Sequence, residues 1–123
     1  MNAQSQAMRA YSAASAPTRT PRNIEYDAVA RITHRLRSEA MKGPEAFPNL
    51  VKALYDNKTL WNIFAVDVAD ADNQLPRELK AQIFYLAEFT SQHTTKVLAR
   101  KADVAPLLEI NSAILQGLRS GAA

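Results

Sequence analysis

Cysteine is absent from this chain, which excludes disulfides and thiolate chemistry and suits a reducing compartment. Glycine occurs only at Gly43, Gly117 and Gly121, too sparsely for a loop that cradles phosphate. No apolar run approaches the roughly 20 residues that a membrane helix needs. The opening Met1-Asn-Ala-Gln-Ser lacks the basic-then-apolar order of a signal peptide, so a soluble cytoplasmic protein is expected. No stretch of useful length alternates apolar and polar with period two, so no sheet is expected.

The chemistry-bearing residues are equally sparse. The two histidines, His34 and His93, fall in separate segments, and no His, Asp or Glu set has a zinc-like spacing. Asp67, Asp70 and Asp72 suggest a cation loop. A calcium loop, however, needs glycine at its sixth position and glutamate at its twelfth, and neither stands there. They read instead as a solvated helix end. Serine is plentiful near the start without an accompanying base or oxyanion arrangement. These absences argue against an enzyme, a metal site or a cofactor.

What is present is the composition of one soluble domain. The chain has 123 residues, 47% of them hydrophobic, enough for a single buried core. Its net charge of +3 is unevenly spread. Residues 1–38 carry six arginines against Glu25 and Asp27, and residues 39–95 carry five bases against eight acids. The remainder carries four bases against two acids. A basic end can attract RNA through its phosphates, but aromatic residues are not interleaved with the arginines as single-strand binding requires. Direct nucleic-acid binding is therefore disfavoured.

Helical spacing dominates from residue 21 onward, and about five helices are expected in a compact all-α bundle. Thr20-Pro21 is a cap followed by proline at the first helical position. Ile24, Ala28, Ile32 and Leu36 then step by four, with Val29 alongside, and Met41-Lys-Gly-Pro44 ends the run. A short helix carries Leu50, Val51, Leu54 and Tyr55, with Pro48 in its opening turn. Asn57 reads as the cap of a separate helix bearing Leu60, Trp61, Phe64, Ala65 and Val68. Asn73-Gln-Leu-Pro76 breaks that run and starts the longest helix, to about Arg100. Along it Leu79, Ile83, Leu86, Thr90, His93 and Val97 form a coiled-coil-like seam. Asp103 caps a last helix lined by Val104, Leu107, Leu108, Ile114, Leu115 and Leu118, with Asn111 inside the stripe.

Residues 1–20 hold little that can bury itself beyond Met8, Ala10 and Tyr11, so they read either as a mobile tail or as a flexible arm that orders only when held by its own domain or a partner. The expected organisation is this arm followed by one bundle over 21–123. Trp61, the only tryptophan, admits two readings. On an apolar helix face it is most often core; tryptophan is also an enriched interface anchor. Asn111 fixes helix register or lines a groove. Register fixing fits better, since an unpaired buried amide costs on the order of 1–3 kcal/mol.

Leu60-Trp61, Asp67, Asn73-Gln-Leu-Pro76, Leu79-Lys-Ala-Gln-Ile83, Leu86, His93 and Val97-Leu98 come in a particular order. With Leu107-Leu108-Glu-Ile-Asn111 and Gly117-Leu118 they resemble the FlaF family of alpha-proteobacterial flagellar regulators. Ala10-Tyr-Ser, Thr20-Pro-Arg22, Glu25 and Arg31-Ile-Thr-His-Arg-Leu36 extend the likeness over nearly the whole chain. The resemblance implies a non-enzymatic cytoplasmic regulator that binds flagellin as a secretion chaperone and promotes its synthesis. It also implies action beside FlbT, a regulator of flagellin messenger RNA. The alternative is a helical adaptor working mainly through FlbT. Partner-binding candidates are Tyr11, Arg22, Trp61, Phe64, Tyr85, Phe89 and Leu118.

Overall fold

Three short connections force successive helices of this chain to run antiparallel. The computed structural model describes residues 21–119, with side chains described for 26–117. Over that range α1 spans Pro21–Met41, α2 Phe47–Ala69, α3 Arg77–Leu98 and α4 Ala105–Arg119, with a single 3-10 turn at Pro44–Ala46. No strand occurs among the described residues. The expected arm, the Thr20 cap, and the side chains of Ile24 and Leu118 lie outside them.

The number of helices is the main correction. The short helix and the Trp61 helix are one continuous α2, and Asn57 is a fully buried residue in its middle rather than a cap. No glycine or proline stands between Asn49 and Ala69 to interrupt it. Asn57's amide, which could have competed for local backbone, is committed to a distant partner instead.

Breaks occur where backbone chemistry demands them. Gly43 adopts a left-handed φ of 91°, and its carbonyl accepts the Ala46 N–H at 3.1 Å. After α2, Asn73 does most of the turning. Its Nδ2 donates to the Asp67 carbonyl (3.0 Å), and its Oδ1 accepts the Leu75 N–H (2.9 Å). Pro76 then stands at the N-cap of α3, one residue before the first helical position, and its carbonyl accepts the Lys80 N–H.

The exit from α3 is less ordinary. Lys101 N–H donates to the Lys96 carbonyl and Arg100 N–H to the Val97 carbonyl, both at 2.9 Å, the hydrogen-bond pair of a Schellman end. The left-handed position, usually glycine, is Arg100 with φ 61°. Its guanidinium lies 4.3 Å from the centre of the Phe47 ring at the start of α2. That contact offsets much of the conformational penalty, since cation–π pairs contribute about 0.5–1 kcal/mol when exposed. Arg100→Ala should therefore destabilise by about that amount. Arg100→Gly should be close to neutral, because glycine removes the left-handed penalty of about 1–2 kcal/mol as the ring contact is lost. Paired thermal melts compare the two.

Ala28, Val29, Ile32 and Leu36 of α1 meet Ala53, Leu54 and Leu60 of α2, closed from the far end by Val97, Val104 and Leu107. The four-residue stepping of α1 is thus the core stripe it promised to be. On α3 the buried line is Ala87, Thr90, Thr94 and Val97. His93, expected on the seam, sits at its edge, and Leu79, Ile83 and Leu86 are only half-buried. Small residues at 87, 90 and 94 let α3 approach α2 closely, which shifts the seam toward them. Thr94 returns its hydroxyl to the Thr90 carbonyl, and Thr33 to that of Val29, both at 2.6 Å. Arg35 pairs with Asp56 at 2.6 Å across α1 and α2; both are too exposed for more than about 1 kcal/mol.

Candidate functional site: an open side between α3 and α4

The helices close the bundle on three sides. α2 packs against α1 and α3, and α4 packs against α1, whereas α3 and α4 touch only sparsely. The fourth side is therefore a groove. Helical periodicity puts Leu86, Phe89 and His93 on the α3 flank that faces it, with Tyr85 farther round at the outer rim, and Ile110 and Ile114 on the α4 flank. Phe64 of α2 is packed against the core beside Trp61. All of these are half-buried except Tyr85, which is 66% exposed.

A buried polar chain ties α4 to α2 beneath this side. Trp61 Nε1–H donates to Asn111 Oδ1 at 2.9 Å, and Asn111 Nδ2–H donates to Asn57 Oδ1 at 2.8 Å. All three residues are 0% exposed. Asn57 and Trp61 are one helical turn apart, so a single α4 residue bridges both and fixes the rotation and register of α4. Phe64 meets the Trp61 ring edge-on at 5.3 Å and 81°.

One end of the groove is shut. The His93 ring stacks on Phe89 at 5.5 Å, and its Nε2 lies 2.7 Å from the Asp103 carbonyl in the α3–α4 connection. A carbonyl only accepts, so Nε2 carries the proton. Asp103 then accepts the Ala105 N–H at 3.0 Å, the capping role expected of it. α3 has 22 residues and α4 has 15. At 1.5 Å per residue, the described part of α4 is about 10 Å shorter than α3.

The candidates named from sequence separate accordingly. Phe89 and Tyr85 lie on the wall and rim of the α3 flank, and Phe64 lies beside Trp61 on α2. Trp61 takes the core reading, and any direct contact with a partner would require α4 to lift. Tyr11 lies outside the described residues, as do the side chains of Arg22 and Leu118. Ile110 was missed as a groove wall; it lies off the Leu107–Asn111 line, toward α3. A second apolar face was also missed. Tyr55 and Val66 share the solvent side of α2, and Phe84 and Leu98 share a face of α3, all of them exposed. On the other flank of α4, a shallow hollow of about 530 Å³ is lined by Arg37, Leu108, Glu109 and Ser112, among others. Asp70 and Asp72 are solvated as expected, Asp70 Oδ1 accepting the Asp72 N–H. Among the described residues no group of three or more His, Asp or Glu could hold a metal ion. None of their helices is long and apolar enough to cross a membrane.

Fold and groove together define an antiparallel four-helix bundle with one long side left unfilled. The chain belongs to the flagellar protein FlaF family, whose model matches residues 7–118. No curated protein and no solved structure matches it.

Proposed function

We propose that this protein is a cytoplasmic flagellar regulator that binds flagellin as a secretion chaperone and promotes its synthesis. The observation that carries this reading is the groove between α3 and α4, with Tyr85, Leu86, Phe89, Phe64, Ile110 and Ile114 spaced to receive an amphipathic helix. Flagellin's terminal segments are helices of that kind, which would associate with one another if left uncovered. Membership of a flagellar family supports the choice of flagellin over other helices. The exposed cations of α1, among them Arg31 and Arg37, steer an acidic partner rather than supply most of the affinity.

Co-elution of the purified protein with flagellin on a sizing column, without FlbT or RNA, tests the reading. Tyr85→Asp should weaken that complex at least tenfold, because a carboxylate cannot be buried cheaply against a partner helix. Its own stability should change by less than about 0.5 kcal/mol, since the residue is exposed. Unaltered binding by this variant would remove the groove from the interface.

One observation favours a second reading, an adaptor acting mainly through FlbT. Tyr55 and Val66 on α2, and Phe84 and Leu98 on α3, are exposed apolar residues off the groove walls that could serve another protein. Flagellin retention that depends wholly on FlbT would support it.

A further inference from the structure

We infer that a single internal water binds between α2 and α3, held by the Asn57 amide and the Thr90 hydroxyl. Both residues are 0% exposed, and the Asn57 Nδ2 and the Thr90 Oγ1 each lack a hydrogen-bond partner within the protein. Buried polar groups are rarely left so, because desolvation without a new bond is costly. The two groups also lie at one level of the bundle. α2 and α3 pack antiparallel, and the turn between them centres on Asn73. Asn57 stands sixteen residues before Asn73 and Thr90 seventeen after it. Their heights along the pair thus differ by about one residue's rise, 1.5 Å. Each belongs to the buried line of its own helix.

Thr90 also differs from its own kind. Of the three buried threonines among the described residues, Thr33 and Thr94 return their hydroxyls to the carbonyl four residues back, at 2.6 Å each. Thr90 does not, although a helical threonine has that carbonyl within reach. The buried residues one turn away on either side, Ala53 on α2 and Ala87 on α3, are small. A polar site between small side chains suits one water, which needs little room and two or more polar partners. The water accepts the Asn57 Nδ2–H and donates to the Thr90 oxygen. It extends the chain Trp61–Asn111–Asn57 to α3, so both walls of the groove are tied to α2 by one run of hydrogen bonds. Thr90 is then a positioning residue, next in sequence to Phe89 on the groove wall. This inference concerns the free protein and stands whether or not flagellin is the partner.

Oxygen-17 relaxation dispersion of water in a solution of the full-length protein detects internal waters by their slow exchange. Thr90→Val keeps the side chain's shape and removes its hydroxyl, and should lower the dispersion amplitude by one water. Thr90→Ser retains the hydroxyl and should keep that amplitude. Thr90→Val should also raise the unfolding constant by about fivefold, the worth of one net hydrogen bond. In an Asn57→Leu background the same change should have almost no effect, since the water has already left. An amplitude unchanged by Thr90→Val, or lost equally with Thr90→Ser, would overturn the inference. So would coupling between the two positions without any dispersion, which would assign a direct bond between Asn57 and Thr90.

Discussion

Trp61→Ala is expected to destabilise the protein by about 3–5 kcal/mol, the range for removing a large aromatic from a closed core. The ring is fully buried, its N–H is bonded to Asn111, and its edge contact with Phe64 supports one side of the groove. For a domain of this size such a loss is a large part of the total stability. Urea unfolding followed by circular dichroism measures it, since the variant has no tryptophan to report by fluorescence. Trp61→Phe should lose less, because most of the volume remains and only the indole donor is gone. A Trp61→Ala protein with near-parental stability that had lost its partner would return the ring to the interface.

The second large effect falls on Asn111. Asn111→Leu leaves the Trp61 N–H and Asn57 Oδ1 without partners in a dry interior, and should remove about 2–4 kcal/mol. Asn57→Leu should cost less, about 1–2 kcal/mol, because no other residue pairs with the Asn57 Nδ2 and none is stranded there by the change. The two substitutions share one hydrogen bond, so their effects should not add. A double-mutant cycle by urea titration gives the coupling, and strict additivity would mean that the chain Trp61–Asn111–Asn57 does not act as a unit.

Much of the architecture could be read from residue spacing. The α1 stripe, the glycine stop at Gly43, the Asp103 cap and the turn at Asn73 are local matters, settled by residues within one turn of each other. The fusion of two expected helices into α2 could not be read that way. An asparagine followed by an apolar run is a valid cap locally, and only Asn111, more than fifty residues later in the chain, takes Asn57 out of that role. The α3 seam failed for a related reason. Ala87 and Thr94 carry little hydrophobic signal, yet close approach to α2 prefers them to Leu79 and Leu86. The candidate groove was half legible. Phe64, Tyr85 and Phe89 stood out as aromatics, but which side of the bundle stays open depends on α4 packing against α1 rather than α3. No single residue states that.

The left-handed corner at Arg100 sets the direction in which α4 departs, and α4 is anchored at its near end and free of α3 beyond it. Its middle is pinned by Asn111 and its flank by α1, so the corner sets an angle and is not a hinge. A tilt of about 10° there displaces the far tip of a fifteen-residue rod by about 4 Å. That distance is comparable to a side chain's breadth, so the angle set at this one corner bears on how closely α4 can lie beside α3.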